Sequence, residues 1–392
     1  MKTPVQPFLR FAFVVSLVLG IAVCGDSPTD ADRTDVDEPA DVDEPTGPYA
    51  VITTFVGTGQ AGKGDEGVGP LETQLYLPQD LTFGPDGLPY ILDWNNHRVR
   101  VLDNGLMRTV IGTGELGDSP AGVALEVGLN HPTHVSFDPL GRLVLSAWHN
   151  SKIMRVDFTT GQIEPIVGNG TRLFRGDGGP AIDAWVNLPT ATAFDAAGRM
   201  YISDQENQRI RMVDTNGIIS TVVGTGVPGF SGDGGPAVAA QIFAPVGQAA
   251  APTSHIEIDS EGNLYLADTS NNRIRKIDTD GIINTVAGNG VAAFSGDGGL
   301  ATDASLNFPI DIAIDAEGNL FIADHSNSCI RKVDTSGNIT TFAGQCGNPG
   351  YEGDGGHPTE ARLDRPYGIA FDSEGNFYIA DTHNHRIRVI RR

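Results

Sequence analysis

The sequence predicts an all-β protein, a six-bladed β-propeller with four antiparallel strands in each blade. A unit of about 56 residues occurs six times, and each copy reads as four short strands separated by turns that contain Gly or Asp, which is typical of propeller blades. A lone fourth strand, residues 51–56, precedes the first complete unit, and the last unit ends with its third strand, residues 386–392. Pairing these two segments would close the ring and leave no free sheet edge at the seam.

The elements follow one another in the same order in every unit. In the fourth unit, the strand IEID leads through the turn SEGN to LYLAD, through TSNN to RIRKID, and through TDG to IINTVA. Apolar residues alternate in the first strands, as Ile312 and Ile314 do, and this is the period of a strand with one buried face. The second strand ends in Ala147 in the second unit and in an acidic residue in the other five, namely Asp93, Asp204, Asp268, Asp324 and Asp381.

Residues 1–24 read as an export signal. Lys2 and Arg10 accompany an apolar run of 13 residues, 11–23, which is too short to span a bilayer and suits the centre of a signal peptide. The run ends in Ile-Ala-Val-Cys and resembles a bacterial lipoprotein signal, in which Cys24 would become the lipidated first residue. Val23 departs from the small residue expected there, so cleavage near Ala22 without lipidation is the alternative.

Residues 25–49 are predicted to be an acidic disordered linker. They hold nine acidic residues and one Arg, with the near-repeat DVDEPADVDEP, and such a segment cannot bury a core. The propeller, residues 50–392, holds 40 acidic and 23 basic residues, which argues against nucleic-acid binding. We therefore expect membrane contact only through the lipid anchor, in a bacterial cell envelope.

Two cysteines remain in the propeller, Cys329 and Cys346. The first opens the third strand of the fifth unit, and the second lies just past the fourth strand, so a hairpin around Thr335–Gly337 would bring them together. In an oxidising compartment this arrangement predicts a disulfide. The alternative is a pair of buried thiols.

The repeated segments resemble the NHL repeat family, and in particular the variant found in bacterial secreted proteins and in the propeller of teneurins. The resemblance rests on GTGVPGFSGDGGPA, IDSEGNLYLADTSNNRIRKIDTDG and IINTVAGNG, and it covers residues 50–392. It implies a six-bladed propeller. It implies no single activity, because relatives include lyases, lactonases, sensor domains and protein-binding scaffolds.

The GDGG motif is interpreted as structural. It occurs at residues 176–179, 232–235, 296–299 and 353–356. Its glycines allow positive φ, and its Asp can bond nearby backbone N–H groups in an Asx-turn. A calcium site is the weaker interpretation, because such a loop needs more oxygen ligands than one Asp supplies.

A second repeated pattern places an Arg five residues after the Asp that ends the second strand. Four units share it, with the pairs Asp93–Arg98, Asp204–Arg209, Asp268–Arg273 and Asp381–Arg386. We expect each pair to form an ion pair that fixes the intervening turn. The second unit has Ala147 and Lys152 instead, and the fifth has Cys329 in place of the Arg.

Polar residues that differ between units mark the channel mouth. The third position of the first strands, counted from the proline that opens most of them, holds Asp80, His134, Ala191, His255, Asp311 and Gly368 in turn. Two His and two Asp are ligands suited to a divalent ion such as zinc or calcium. Glu257, two residues deeper, would then be a general base. The alternative is a polar lining of a water-filled channel.

Candidate recognition residues occur in the long loops between units, namely Phe174, Arg175, Phe230, Phe294 and Tyr351. They suit a surface that binds a protein or a glycan, although their regular spacing equally suits packing of each loop on its own blade. The loop that precedes the first strand of the fourth unit is about eight residues longer than the equivalent loops and ends with residues 243–252. It is a candidate cover for the channel mouth.

The function predicted from these features is that of an exported, membrane-tethered, non-catalytic binding or scaffold module for a protein or glycan. The alternative is a metal-dependent hydrolase or lyase, lactonase-like or amidating-lyase-like, with its site at the channel mouth. The sequence indicates no oligomeric state.

Overall fold

The computed structural model describes residues 48–247 and 249–392, which form six small antiparallel sheets arranged as a six-bladed propeller. The predicted signal segment, its lipidation site Cys24 and the linker up to residue 47 lie outside the described residues. Within the described part of the chain, no helix is long and apolar enough to cross a membrane.

Each blade runs from an inner strand at the central channel to an outer strand at the rim. The strands of blades 1 and 2, from channel to rim, are Asp80–Phe83, Pro89–Asp93, Arg98–Asp103 and Leu106–Ile111, then His134–Phe137, Leu143–Ala147, Lys152–Asp157 and Gln162–Val167. Those of blades 3 and 4 are Pro189–Phe194, Met200–Asp204, Arg209–Val213 and Ile219–Val223, then Ile256–Ile258, Leu264–Asp268, Arg273–Ile277 and Ile282–Ala287. Those of blades 5 and 6 are Pro309–Ile314, Leu320–Asp324, Cys329–Val333 and Ile339–Ala343, then Ile369–Phe371, Phe377–Asp381, Arg386–Ile390 and Ile52–Val56.

Short 3₁₀ helices connect the second and third strands in all six blades. These helices are Trp94–Asn96, Trp148–Asn150, Gln205–Asn207, Thr269–Asn271, His325–Asn327 and Thr382–Asn384. Three more lie in the loops between blades, at Ala181–Asp183, Ala237–Ala239 and Pro358–Glu360. We call the end of the ring that carries the first group, where the inner strands also begin, the loop face. The opposite end is the hairpin face.

The seam predicted from the sequence is confirmed. Ile52–Val56 pairs antiparallel with Arg386–Ile390, with Ile52 opposite Ile390 and Thr54 opposite Arg388, and a bulge follows Thr54. The side chains of Ile52 and Val56 are fully buried. The first described strand therefore completes the last blade.

The hydrophobic core is divided among the interfaces between blades. Six clusters of buried apolar residues occur, and each combines residues of two adjacent blades. Between blades 5 and 6, for example, the rings of Phe321 and Phe377 lie 5.1 Å apart, and Phe342 and Phe371 pack around them. A blade separated from its neighbours would expose both faces, so the ring is the unit that folds.

The GDGG segments follow the outer edge of the next blade rather than staying on the loop face. Pro180 bridges to Ile218, and the short strand Gly235–Pro236 pairs with the outer strand of blade 4. Gly122–Val123 pairs in the same way with the outer strand of blade 2. These contacts cover the sheet edges at the rim and block edge-to-edge association.

The Asp of GDGG bonds to that outer strand instead of forming the expected Asx-turn. Asp177 Oδ2 accepts hydrogen bonds from Thr221 N at 3.1 Å and from Thr221 Oγ1 at 2.7 Å. Gly176 has a φ of 104°, as expected, and a Cβ there would lie 2.8 Å from Ala184 Cα. The motif is therefore structural, because its Asp attaches the loop to the outer strand of the next blade.

The predicted Asp–Arg pairing over five residues is wrong in three of the four units. Asp93 does bind Arg98, at 3.0 Å. In blades 3, 4, 5 and 6 the Asp instead binds the Arg seven residues on, in the pairs Asp204–Arg211, Asp268–Arg275, Asp324–Arg331 and Asp381–Arg388, at 3.2, 3.1, 3.6 and 3.4 Å. Both arginines lie on the same face of the third strand because strand side chains alternate.

Each of these deeper arginines is fully buried and contacts a second carboxylate from the preceding GDGG loop. The pairs are Arg211–Asp177, Arg275–Asp233, Arg331–Asp297 and Arg388–Asp354, at 2.6, 2.7, 2.6 and 2.6 Å. Burial raises the pKa of Asp268 to about 6, against the opposing effects of its hydrogen bonds and of Arg275. The arginine thus joins the GDGG loop, the third strand and the polar turn of its blade. Blade 2 lacks this arrangement, because Met154 occupies the arginine position.

Cys329 and Cys346 form a disulfide in the structure, across 17 residues of sequence. Replacing both by alanine is expected to lower the free energy of unfolding by about 3 kcal/mol, because the bond removes loop-closure entropy from the unfolded chain. Denaturant unfolding of the variant and of the reduced wild type measures this. Equal stability of oxidised and reduced wild-type protein would contradict the prediction.

Candidate functional site

The residues predicted at the channel mouth meet in one group, which we call the channel cluster: Asp80, His134, His255, Asp311 and Glu257. His255 Nδ1 lies 3.1 Å from Asp311 Oδ1, and His134 Nε2 lies 3.9 Å from Asp80 Oδ2. The two imidazole rings are perpendicular, with centroids 5.2 Å apart. The cluster therefore contains two His–Asp pairs whose imidazole rings lie edge to face, and Glu257 lines the same part of the channel.

Backbone N–H groups of neighbouring blades also bond to the two aspartates of the cluster. Asp80 Oδ2 accepts from Val135 N at 2.8 Å, and Asp311 Oδ2 accepts from Ile369 N at 2.8 Å. Each of these bonds joins the inner strand of one blade to that of the next. The aspartates consequently hold adjacent blades together around the channel.

This geometry does not fit the predicted metal site. Among the described residues, no group of three or more His, Cys, Asp or Glu side chains is arranged to hold a metal ion. Asp80 and Asp311 each already accept a backbone hydrogen bond and face an imidazole, whereas a metal centre needs several lone pairs directed at one point.

Burial and mutual charge shift the pKa values of the channel cluster. Burial raises the pKa of Asp80 and of Glu257 to about 8, with the charge of Asp311 adding to both effects. Burial opposes protonation of His255, but Asp311 and Asp80 raise its pKa above the ordinary value. Burial, assisted by His255, places the pKa of His134 well below its usual range. These shifts favour the protonated forms of the Asp80 and Glu257 carboxyls and the neutral form of the His134 imidazole.

Glu257→Gln is expected to reduce the decrease in the free energy of unfolding that the wild type shows as the pH rises. Because the pKa of Glu257 is about 8 in the folded protein and near 4.3 when unfolded, the folded state binds the proton more tightly. Stability due to this group is present at acidic pH and is lost as the pH rises from about 4 to about 8. The amide removes this loss, which amounts to at most about 4 kcal/mol between pH 5 and pH 9.

Thermal unfolding from pH 5 to pH 9 measures the effect, and the exposed Glu126→Gln is the matched control. Parallel pH profiles for the wild type and Glu257→Gln would show that the carboxyl does not titrate in this range.

A second feature on the loop face, the loop-face cavity, lies beside the channel mouth. Its volume is about 320 Å³. It is lined by Leu77, Gln79, Trp94, His131, Trp148, His149, Ala249, Ala250, Ala251, Pro252, Tyr367, Thr382 and His383. Trp94, Trp148 and Tyr367 are among the lining residues, and aromatic residues are common in the walls of small-ligand pockets.

The walls of this cavity come from repeat positions that vary between blades. Trp94, Trp148 and Thr382 each open the 3₁₀ helix of their blade, where the other blades have Gln205, Thr269 and His325. His149 and His383 take the second position of that helix. The sequence signal for this cavity is the variation of these helix positions between units, which the inner-strand positions do not reveal.

The long loop of blade 4 forms one wall of the cavity and is fixed in place. Gln205 Nε2 donates to Pro245 O at 2.9 Å and to Ala251 O at 3.2 Å, and Gln205 Oε1 accepts from Thr253 N at 3.0 Å. Gln208 bonds both backbone polar groups of Ala244. The described part of this loop is therefore a fixed wall beside the mouth.

The cavity contains neutral histidines and unused polar atoms. Burial lowers the pKa of His131 to about 4 and also lowers that of His383. Within the described part of the chain, the buried Trp94 Nε1, Trp148 Nε1 and Gln79 Oε1 have no hydrogen-bond partner.

The aromatic residues predicted as a recognition surface do not converge on one site. Each packs on arginines of its own blade: Phe174 on Arg209 and Arg211, Phe230 on Arg273 and Arg275, Phe294 on Arg331, and Tyr351 on Arg386 and Arg388, with ring-to-guanidinium distances of 3.7–5.1 Å. Arg175 lies over Trp185 at 5.1 Å. The cation–π contacts explain why the spacing is regular, and the outer faces of the rings stay exposed.

Comparison with known proteins matches residues 49–228 and 289–350 to the teneurin NHL domain, and residues 363–390 to the NHL repeat. Teneurin-1 of Homo sapiens is 28% identical over 349 residues, which cover 81% of this chain and 12% of that protein. Teneurin-m of Drosophila melanogaster is 28% identical over 345 residues, with 81% and 12% covered. The chain thus spans about an eighth of the length of these curated relatives.

Solved structures share the fold. A structural genomics protein of unknown function from Bacteroides thetaiotaomicron superposes with a TM-score of 0.63 at 17% identity, covering 87% of this chain and 75% of that one. An auxiliary nutrient binding protein from the same species gives a TM-score of 0.63 at 19% identity, covering 86% and 75%. At these identities the likeness shows the propeller fold alone.

Proposed function

The chain belongs to the family of teneurin NHL domains, and from that premise we propose that it is a non-catalytic binding module whose loop face recognises a protein or a glycan. The loop-face cavity carries the proposal. Its lining includes Trp94, Trp148 and a hydrogen-bonded loop, and it comes from helix positions that differ between blades.

The internal bonding of the channel cluster favours a binding role over catalysis. Asp80, His134, His255 and Asp311 contact one another and the neighbouring strands. A metal-dependent hydrolase or lyase would need several of these donors free to converge on one ion. Glu257, the predicted general base, lines the channel beside these pairs, and we propose the binding role rather than the enzyme.

We further propose that the module is exported and held at a bacterial membrane by a lipid on Cys24, with residues 25–49 as the spacer. The apolar run before Cys24 and the acidic composition of the spacer support this, and the Cys329–Cys346 disulfide suits an oxidising compartment. No direct contact of the acidic propeller with nucleic acid is proposed.

Cys24→Ser is expected to move the full chain from the membrane fraction to the soluble fraction of the envelope, because it removes the proposed lipid anchor. Fractionation and intact-mass measurement of the membrane form test this, and Cys346→Ser serves as a cysteine control. Wild-type protein found wholly in the soluble fraction, without added lipid mass, would contradict the anchor and leave the binding function to be tested separately.

A test of the recognition face uses the full chain against an array of glycans and a panel of purified envelope proteins. Trp94→Ala on the loop face is expected to weaken binding at least about tenfold, since an aromatic anchor contributes about 2 kcal/mol. The control Leu140→Ala changes an exposed residue on the hairpin face and should leave binding unchanged. Loss of binding only in the hairpin-face variant would overturn the proposed face.

A further inference from the structure

We propose that acid loosens the propeller at both interfaces of blade 1, because a histidine side chain closes each of these interfaces on the loop face. His97 Nδ1 accepts a hydrogen bond from His131 N of blade 2 at 3.3 Å, and His385 Nδ1 of blade 6 accepts one from Leu77 N of blade 1 at 3.1 Å. A ring nitrogen that gains a proton can no longer accept. This response to pH belongs to the ring itself and does not depend on what the loop face binds.

Every interface between adjacent blades carries one bond of this kind, which we call an interblade cap bond. The acceptor is the side chain of the residue that follows the 3₁₀ helix, and this residue has a φ of 51–55° in all six blades. The donor is the backbone N–H of a residue that precedes a proline in the next blade. The six pairs are His97–His131, Ser151–Leu188, Gln208–Ala244, Asn272–Phe308, Ser328–Arg365 and His385–Leu77, at 3.3, 3.4, 2.8, 2.9, 3.2 and 3.1 Å.

Of these six bonds, the two with histidine can respond to pH near neutrality. The other four accept through hydroxyl or amide oxygens, which do not titrate in this range. A neutral imidazole that accepts at Nδ1 carries its proton on Nε2, whereas both nitrogens of the imidazolium are donors. Protonation therefore turns the Nδ1 lone pair into an N–H that faces another N–H.

Loss of either bond leaves a backbone donor unpaired. Among the described residues, His131 N and Leu77 N have no other hydrogen-bond acceptor. An unpaired N–H group away from water costs free energy. We therefore expect blade 1 to separate from its neighbours on the loop face until water reaches these donors.

The surroundings of His97 oppose its protonation in the closed ring. Burial lowers the pKa of His97, Glu115 opposes this effect, and His149 and Lys63 add to it. Lys63 and Glu115 also pair with each other at 2.8 Å, so their charges largely cancel. The His131 ring lies edge-on to His97, with centroids 4.4 Å apart. These effects favour the neutral imidazole that the bond requires.

The surroundings of His385 act in the same direction. Burial lowers the pKa of His385, and His383 and Arg386 lower it further. The Tyr76 ring packs against it with centroids 5.8 Å apart. Because both histidines have a pKa below the ordinary value of about 6.5 in the closed ring, the opened or unfolded state binds the proton more tightly. The stability that the two bonds contribute is present above about pH 6.5 and is lost as the pH falls.

The loosened interfaces adjoin the loop-face cavity. Leu77 and His131, the donors of the two histidine bonds, both line that cavity, as does Trp94 of blade 1. Movement of blade 1 would therefore displace part of the cavity wall. If the loop face binds a ligand as proposed above, its affinity should fall over the same pH range.

Amide hydrogen exchange of the full chain, resolved to single residues by mass spectrometry, tests the proposal without a ligand. Rates at pH 7.5 and pH 5 are divided by the intrinsic rate at each pH. The amides of Leu77 and His131 are expected to lose protection at pH 5 by as much as about 30-fold, the factor by which an opened imidazole with a pKa near 6.5 gains population. The amides of Leu188 and Phe308, which bond to Ser151 and Asn272, should change little.

The propeller supplies its own matched variant. His97→Asn/His385→Asn copies the cap bond of Asn272, whose Oδ1 accepts from Phe308 N at 2.9 Å. The double variant should have nearly the wild-type melting temperature at pH 7.5, a smaller decrease in melting temperature at pH 5, and full protection of the Leu77 amide at both values. The reverse change, Asn272→His, should make the Phe308 amide sensitive to acid. His357→Asn, at an exposed histidine, should leave the acid response unchanged.

Three results would overturn the proposal. They are equal protection of the Leu77 and His131 amides at the two pH values, the same acid response in the double asparagine variant as in the wild type, or an Asn272→His variant whose Phe308 amide does not respond. Because none of these measurements uses a ligand, their failure would leave the proposed binding function of the loop face to its own test.

Discussion

Val56→Asp is expected to abolish the closed ring at 37 °C and to produce soluble oligomers or aggregate. Val56 is fully buried in the strand that completes blade 6, in the cluster shared by blades 6 and 1. An unpaired carboxylate there costs several kcal/mol or becomes protonated. Because folded proteins are stable by only about 5–15 kcal/mol, the seam strand is expected to detach.

Detachment would expose the strand Arg386–Ile390, which pairs with the seam strand in the wild type. An uncovered strand edge of this kind pairs with other chains. Size-exclusion chromatography and thermal unfolding measure the outcome. Thr53→Asp is the matched control, because Thr53 is half-exposed in the same strand and should leave the protein monodisperse with nearly the wild-type melting temperature. A wild-type elution profile and stability for Val56→Asp would contradict the role of the seam.

Arg275→Met is expected to destabilise the protein by about 3–5 kcal/mol, the cost of leaving a buried charge without its partner. Arg275 is fully buried between Asp268 and Asp233, at 3.1 and 2.7 Å. Its removal leaves Asp268 with hydrogen bonds from Phe243 N and Asn271 but without a countercharge. The pKa of Asp268, already about 6, should then rise further, so the loss should be smaller at pH 5 than at pH 8.

Blade 2 suggests the companion variant. It carries Ala147 and Met154 at the positions of Asp268 and Arg275, so the double substitution Asp268→Ala/Arg275→Met copies a combination that the ring already contains. We expect the double variant to be more stable than Arg275→Met alone. Denaturant unfolding of the single and double variants gives the coupling energy.

Arg108→Met is the matched control, because Arg108 is exposed and its ion pair with Asp103 spans 3.6 Å. This substitution is expected to lower the free energy of unfolding by less than about 1 kcal/mol. If Arg275→Met is no more harmful than Arg108→Met, the buried arginine does not hold its blade together.

The blade count, the strand order and the seam were predictable because repetition makes each strand visible several times. Where one copy leaves the position of a strand ambiguous, the other five copies resolve it. The lone strand at residues 51–56 can pair only with the third strand of the last unit, which has no fourth strand of its own. The same repetition did not reveal which arginine binds Asp268. Arg273 and Arg275 share a strand face, and only the path of the GDGG loop along the rim, which brings Asp233 to Arg275, decides between them.

The candidate site was only partly predictable. The register of the inner strands placed Asp80, His134, His255 and Asp311 at one level of the channel, and the structure brings them together. Their partners were not predictable, because backbone donors such as Val135 N come from the neighbouring blade. The loop-face cavity depends on residues from four blades and on a loop held by Gln205, and no single unit of sequence contains that information.

The position of the seam also bears on how fast the molecule reaches its native state. Contacts at the seam join residues more than 300 positions apart, as in the bond from Arg386 to Thr58 across 328 positions. Such long-range contacts slow folding, because the chain ends must find each other before the contact contributes any stability. Blades 1 to 5 can assemble from neighbouring segments, whereas the sixth must wait for both ends, and until then its edges are open to other chains. Ring completion is therefore the step at which we expect chaperone dependence and concentration dependence of refolding to appear.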